Sequence, residues 1–412
     1  MLHDANPIPE TSEGGGPREV QSRAGKSKVQ IGLSVAILAA GIAGNADIAL
    51  SPLLLSGMAQ FLHFNDRVLG ELASISSIGS SLATVAALFV MHRKGWPLRL
   101  TAIVCLCAYA VINLAIPSFF DNPMLLLAAI FLGGCCSGLL WAVAVTAQAT
   151  VHGNERLIAI FYGTPYLTGL VFQPMMPFVF ARWGLPAPYF GIAGACVLSL
   201  LLVRFFPARA VEAAAPEREE GTAGGARRGS FIGIGIVLLA LFVQYCANSG
   251  IWVYFDRIGR LAGHTPQASA NAVALGVGMA LVGTMLATVL TVRLRPLPTI
   301  LIISAVMALA TLGLLEAGNY VLFAGSISLF NVMITFITPF FFILLNRIST
   351  ARGRVALAAN ICMMGGFALG PALVGRIVEG GDFSSAIIVT AVAFLVSAVL
   401  VVASSGSGRL RS

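Results

Sequence analysis

The chain has 412 residues, of which 58% are hydrophobic and only 10% are charged, and its mean hydropathy is +0.90. Soluble globular proteins carry about 25% charged residues, so this composition excludes an ordinary soluble domain. Long apolar runs such as 301–315 and 386–402 favour membrane-spanning helices over the alternating strands of a membrane β-barrel. The composition therefore predicts an all-α polytopic membrane protein.

Charges and turn residues divide the chain into twelve apolar runs, each close to the roughly 20 residues that cross a bilayer as a helix. The predicted spans are 31–56, 69–91, 100–116, 124–151, 157–180, 189–205, 231–254, 268–292, 297–315, 320–345, 355–374 and 386–402. The stretch between the sixth and seventh runs is rich in Ala, Gly, Glu and Arg, which is typical of a flexible linker.

The basic residues orient these spans. With a cytoplasmic N-terminus, most of the 25 Lys and Arg residues fall in cytoplasmic segments, as the positive-inside rule expects. This bias explains the net charge of +8 without a nucleic-acid partner. We therefore predict a plasma (inner) membrane protein with both termini cytoplasmic. Its predicted parts are a disordered tail at 1–28, a six-helix bundle at 29–206, a cytoplasmic linker at 207–230, a six-helix bundle at 231–404 and a tail at 405–412.

A weak internal repeat supports the division into halves. Arg156 and Arg354 each stand at the predicted cytoplasmic edge of a small-residue helix that contains proline. Proline and glycine at corresponding places in two halves indicate moving transporter helices. The alternative is the ordinary tolerance of membrane helices for proline. The repeat predicts gating positions at Pro165, Pro174, Gly370 and Pro371.

The 6+6 layout, the inside termini, the central linker and the basic loop after the second span together resemble the major facilitator superfamily. In the loop, LFVMHRKGWPLR keeps the arginine and second glycine of the family motif as Arg93 and Gly95. Leu88 and His92 replace its first glycine and its acid, so the charge relay of that motif is altered here.

The first span carries a narrower match. GNADIALSPLLLSGM resembles the first-helix pattern of proton-coupled drug exporters, an acid a few residues before a proline, here Asp47 and Pro52. The family resemblance implies two bundles that rock around a central cavity, a small-molecule substrate, and function as a monomer in the lipid bilayer. It also implies that helices one, four, seven and ten line the cavity, and that helices two, five, eight and eleven meet across the halves.

Asp47 is the predicted proton-coupling residue. It has 18 uncharged residues on each side, counting His63 as neutral, and a charge at that depth is functional by default. Burial favours the protonated form of a carboxyl group and water entry favours the ionised form, so such a site can bind and release a proton. The alternative is a structural carboxylate that is hydrogen-bonded to neighbouring helices through Asn45.

Polar and aromatic residues near Asp47 and in the other presumed lining helices are candidate substrate contacts. They are Asn45, Trp141, Gln148, Gln244, Asn248, Trp252, Asn331 and Thr335. The alternative for each is an interhelical hydrogen bond, which is common in membrane bundles. The GxxxG pairs at Gly134 and Gly138 and at Gly366 and Gly370 predict close helix packing.

Residue types and motifs that the sequence lacks limit the functions it can have. The deep parts of the spans hold no Lys or Arg, which favours a neutral, amphiphilic or cationic solute. The chain has no phosphate-binding loop and no acid, histidine or cysteine cluster, so we expect no cofactor, no metal and no enzymatic activity.

The sequence predicts a proton-coupled secondary transporter of a small organic solute, with export slightly favoured. Alternatives are a proton-coupled uptake permease, a lipid-modifying membrane enzyme, or a sensor or scaffold on a transporter fold.

Overall fold

The computed structural model describes residues 17–91, 96–148, 155–209, 228–349, 352–378 and 380–406. Within these ranges the chain forms helices and no β-strand. The α-helices, in chain order, are α1 (Pro17–Leu62), α2 (Asp66–Met91), α3 (Leu98–Ala115), α4 (Pro123–Gln148), α5 (Glu155–Phe172), α6 (Met176–Trp183), α7 (Pro186–Leu202), α8 (Arg228–Trp252), α9 (Phe255–Leu261), α10 (Pro266–Leu290), α11 (Pro296–Leu312), α12 (Tyr320–Ile348), α13 (Arg352–Ile377) and α14 (Ser384–Gly406).

Among the described residues, eleven helices are long and apolar enough to cross a bilayer. The predicted fifth span is the exception, because it is split into α5, a 3₁₀ turn at Gln173–Met175 and α6. Pro174 and Pro177 lie at this break, where their missing N–H groups interrupt the helical hydrogen bonds. The short α9 lies between the predicted seventh and eighth spans. The arrangement confirms the polytopic all-α fold.

The first helix starts earlier than expected. The tail was predicted to be disordered as far as residue 28, but α1 begins at Pro17 and runs without interruption into the first span. Proline is favoured at the first position of a helix, where its missing N–H costs nothing. The charged and amide residues that follow are good helix formers, so the helix of the span extends backwards through them.

Within each half, helices pack closely where glycine removes a side chain. A Cβ atom on Gly134 or Gly138 of α4 would collide with the backbone carbonyl of Ser76 or Ser80 on α2. A second pair of this kind brings α13 against the backbone of α8, at Gly366 and Gly370. Both predicted GxxxG pairs are therefore confirmed as close helix contacts.

The two halves meet through α2 with α13 and through α5 with α10. In predicted span numbers these are helices two with eleven and five with eight, as the family resemblance implies. The end of the molecule where α1 ends and α2 begins, here called the Asp66 end, carries hydrogen bonds between the halves. Gln267 Nε2 donates to the carbonyl oxygen of Pro174 at 2.9 Å, and the backbone N–H of Ala372 donates to Ser74 Oγ at 2.8 Å.

Residues from α9 and its start add further bonds at the Asp66 end. Arg257 Nε lies 3.0 Å from Asp66 Oδ1, and the Tyr254 hydroxyl donates to the backbone carbonyl of Asp66 at 2.7 Å. Arg260 Nη1 donates to Gln60 Oε1 at 2.8 Å. These contacts hold the halves together at this end of the molecule, so the structure is closed there.

Candidate functional site

Asp47 lies in the middle of α1, at the boundary between the two halves. Its Oδ2 atom accepts a hydrogen bond from the Ser76 hydroxyl of α2 at 3.3 Å. Its Oδ1 atom is buried and has no hydrogen-bond partner in the structure. A buried carboxylate oxygen without a partner is costly, so this atom has an unmet need for a proton, a water molecule or a ligand.

A cavity of about 80 Å³ adjoins Asp47, here called the head cavity. The first half supplies most of its lining, and the second half closes it with Trp252, Val253 and Phe367. The hydroxyl groups of Ser51 and Tyr109 also line it, are buried, and have no hydrogen-bond partner. Three unpartnered polar atoms thus surround one small cavity, a volume that can hold water or a small polar group.

Local packing holds α1 in the position that presents Asp47. Ser137 Oγ of α4 donates to the carbonyl oxygen of Gly44 at 2.5 Å, and Gln173 Nε2 donates to the carbonyl oxygen of Ala49 at 2.7 Å. These two side chains bind the backbone of α1 on either side of the carboxylate. Asp47 is therefore held by bonds to backbone atoms that its own substitution would leave intact.

A second cavity of about 210 Å³, here called the body cavity, continues from the first between the halves. Ile48, Ser77 and Phe367 line both cavities. The remaining lining residues are Ser80, Ser81, Tyr245, Met363 and Met364. The site therefore consists of a polar end at Asp47 and a larger, mostly apolar chamber.

The structure brings one predicted substrate contact, Trp252, to the head cavity. Asn45 instead donates to the carbonyl oxygen of Gly41 in its own helix at 3.4 Å, so it makes no side-chain bond to Asp47. Trp141 stacks on Phe161 with ring centroids 4.4 Å apart, inside the first half.

Three of the other predicted contacts bond within their own half. Gln244 Nε2 lies 3.1 Å from the sulfur of Met307, and Thr335 Oγ1 donates to the carbonyl oxygen of Ala280 at 2.9 Å. Asn331 is bonded to the carbonyl of the preceding turn. Gln148 and Asn248 are buried, and neither lines the two cavities. A substrate role for these residues stays a prediction.

The predicted gating residues lie inside helices or at contacts between helices, and their gating role stays a prediction. Pro165 is inside α5, and the Pro174 carbonyl accepts the cross-half bond from Gln267. Gly370 allows the backbone of α8 to approach α13, and the carbonyl of Pro371 lies 3.4 Å from the Tyr254 hydroxyl. Arg93 and Gly95 of the loop motif lie outside the described residues.

Sequence reasoning missed the contribution of α3 and α7 to the site. Tyr109 and Asn113 of α3 and Tyr189 of α7 line the head cavity, although neither helix was expected to face it. The four-residue spacing of Tyr109 and Asn113, which places both on one face of an apolar helix, is the signal that could have shown this. Ser76 and Ser77 of α2 also line the head cavity, and Ser77 lines the body cavity as well.

The sequence profile of the Major Facilitator Superfamily matches residues 36–371. This chain belongs to the major facilitator superfamily. Its fold is similar to that of the nucleoside transporter NupG, with a TM-score of 0.72 at 14% identity over 92% of this chain and 100% of the other. A D-xylose–proton symporter gives a TM-score of 0.72 at 13% identity, over 92% and 97% of the two chains.

The inward-open xylose transporter XylE from E. coli gives a TM-score of 0.69 at 11% identity, over 93% and 96% of the two chains. None of the curated protein sequences matches this chain. At these low identities the similarity to solved structures shows the fold alone, and no substrate follows from it. Family and fold together make the chain a multi-pass membrane transporter and not an enzyme.

Proposed function

We propose that this major facilitator superfamily protein is a proton-coupled secondary transporter of a small organic solute, with Asp47 as the proton site. The observation that carries the proposal is the unpartnered Oδ1 atom of Asp47 beside a cavity shared by both halves. Asp47 is the one Asp, Glu, Lys, Arg or His among the described residues that line the head and body cavities. A carboxylate alone in such a place is suited to exchange a proton.

In alternating access, the two halves rock so that the central site opens to one side of the membrane and then to the other. The present arrangement is closed at the Asp66 end by the bonds between Arg257, Tyr254 and Asp66. Opening that end requires these bonds to break. Hydration of the site then changes from one side to the other, and the charge state of Asp47 changes with it.

The direction of transport follows from whether proton and solute compete for Asp47. Competition gives exchange, which in a cell with a proton gradient drives export, and this is the direction that we propose. Simultaneous binding gives uptake, and the similarity to a D-xylose–proton symporter favours this second candidate. We propose in either case a monomer in the plasma membrane with both termini cytoplasmic.

Counterflow in liposomes tests the proposal. The purified full chain is reconstituted, and uptake of a panel of labelled solutes is measured with pH gradients of opposite sign. We expect the gradient to drive wild-type transport and to have no effect on Asp47→Asn, which retains solute exchange at equal pH. Asp121→Asn is the matched control, because Asp121 is an exposed loop carboxylate away from both cavities. Gradient-driven transport by Asp47→Asn at the wild-type rate would overturn the proposal.

A further inference from the structure

The charge of the central site restricts what it can hold. Among the described residues that line the head and body cavities, Asp47 is the single Asp, Glu, Lys, Arg or His. An ionised carboxylate in a buried site with a mostly apolar lining needs a compensating positive charge. That charge must come from a proton, an inorganic cation or the solute itself, because the lining supplies none.

Some of the polar side chains that line the site are already hydrogen-bonded within the protein. Ser77 Oγ already donates to the carbonyl oxygen of Ala73 at 3.0 Å, and Asn113 Nδ2 donates to the carbonyl oxygen of Tyr109 at 2.9 Å. The buried unpartnered atoms of the head cavity include the Asp47 Oδ1 atom and the hydroxyls of Ser51 and Tyr109. A sugar brings a hydroxyl on nearly every carbon, and those that face the apolar part of the lining would have no partner.

The two volumes divide the site into a head and a body. The head cavity, at about 80 Å³, has room for an ammonium group with a few atoms beside it. The body cavity, at about 210 Å³, exceeds the ~150 Å³ apolar cavity that is known to admit benzene. Its lining includes Met363, Met364 and Phe367, which are adaptable apolar surfaces. The shape therefore fits an apolar body of one-ring size with one polar end.

We propose that the solute is a small organic cation, a protonated amine on an apolar body, with its ammonium group at Asp47 and its body in the larger cavity. The inference rests on the proposed function and specifies its substrate class. Ser51 and Tyr109 supply further oxygen acceptors for the ammonium N–H groups, and Trp252 supplies an aromatic face beside the charge.

One carboxyl group, that of Asp47, holds either a proton or the ammonium group, so one positive charge is exchanged for another. The exchange requires Asp47 to be the neutral acid before the amine binds, and the amine arrives already protonated, since alkyl ammonium groups lose their proton only near pH 10. On binding, the carboxyl O–H proton passes to solvent and the carboxylate pairs with the ammonium group. Each bound amine therefore releases one proton, and proton and solute compete, which produces exchange transport.

The substrate class proposed for this chain differs from the solutes of two of its structural neighbours. NupG is a nucleoside transporter and another neighbour is a D-xylose–proton symporter, and both solutes carry several hydroxyl groups. The cavity of this chain has the common fold around it, but most of its lining surface is apolar. The substrate class is therefore expected to differ even though the scaffold is shared.

Four probes of graded chemistry test the proposal. They are 4-phenylbutylamine, 4-phenylbutan-1-ol, 4-phenylbutyrate and D-xylose, and the first three share one body and differ in the head group. Binding to the purified full chain is measured by calorimetry, and proton release is followed in a weakly buffered solution. We expect the amine to bind at least about tenfold more tightly than the alcohol, because a charge-assisted contact is stronger than a neutral one. The amine should release close to one proton per molecule bound.

Asp47→Asn should reduce amine affinity to that of the alcohol and abolish proton release. Met363→Ala is the second variant, because Met363 lines the body cavity and not the head cavity that holds Asp47. It should weaken amine and alcohol alike and leave the protons released per bound amine unchanged. It keeps the test informative if Asp47→Asn does not fold.

The outcomes separate this inference from the proposed function. If the alcohol or D-xylose binds as tightly as the amine while Asp47→Asn still abolishes pH-driven transport, the substrate class is wrong and the proposed function stands. Failure of all four probes to bind also overturns the substrate class. If pH-driven transport survives in Asp47→Asn, the proposed function fails as well.

Discussion

Arg257 of α9 and Asp66 of α2 form an ion pair with Nε 3.0 Å from Oδ1, and the pair joins the two halves of the transporter. Asp66 is buried, and its backbone carbonyl also accepts the Tyr254 hydroxyl at 2.7 Å. Side chains at 254, 257 and 260 all reach the first half, so one short segment of the second half holds the Asp66 end closed.

Breaking this ion pair should favour opening at the Asp66 end. Arg257→Gln leaves Asp66 buried without its counter-charge, and we expect the closed state to lose about 1–3 kcal/mol, less than for a fully buried pair because Arg257 is partly exposed. Labelling of Val253→Cys, in a background without native cysteines, by a membrane-impermeant thiol reagent measures the opening. The labelling rate should rise.

Arg67→Gln is the matched control for that experiment. Arg67 also pairs with an acid at this end, but its partner Glu71 lies on the same helix and the arginine is mostly exposed. Its removal should leave the labelling rate of Val253→Cys unchanged. Equal rates for Arg257→Gln and the unaltered background would show that the pair does not hold the end closed.

A second prediction concerns Asp256, which is fully buried and accepts a hydrogen bond from Arg260 Nε at 2.7 Å. Asp256→Asn leaves a mostly buried guanidinium without its counter-charge, and we expect a loss of about 3–5 kcal/mol in stability. Thermal unfolding of the purified protein measures it. The double variant Asp256→Asn with Arg260→Gln should recover a substantial part of the loss. A double variant as unstable as the sum of the two single variants would disprove the coupling.

A third prediction concerns the approach of α4 to α2. Gly138→Ala places a methyl group against the backbone of Ser80, so we expect a loss of about 1–3 kcal/mol from overpacking. Gly191→Ala is the control, because Gly191 lies in α7 with open space around its Cβ position. The control should be neutral or slightly stabilising, as alanine favours helix over glycine. Similar melting temperatures for the two variants would contradict the packing role.

Some of these features could be predicted from the sequence, and others could not. Asp47 could be predicted because a charge in a long apolar run is costly, and the GxxxG pairs because their spacing brings two backbones together. The orientation of Gln244 could not be predicted, because Gln244 and Asn248 share one face of α8 and the sequence does not say whether that face meets the cavity or a neighbouring helix. Its contact with Met307 depends on how the helices pack, which the local sequence does not encode.

The same limit applies to residues that were assigned by helix number. Asn331 and Thr335 share a face of α12, as their spacing predicts, but that face packs against α10 through the Thr335 bond to Ala280. Tyr109 entered the site from a helix that was not expected to line it. Rotation of each helix about its own axis decides which residues meet the cavity, and only packing against neighbours fixes that rotation.

The first measurement to make is infrared difference spectroscopy of the purified full chain on addition of 4-phenylbutylamine. Wild type and Asp121→Asn should both lose the C=O band of a protonated carboxyl group as the amine binds, and Asp47→Asn should lose none. A gain of that band in wild type, absent in Asp47→Asn, would keep Asp47 as the proton site but indicate symport. A spectrum that is the same in wild type and Asp47→Asn would show that Asp47 does not exchange the coupled proton.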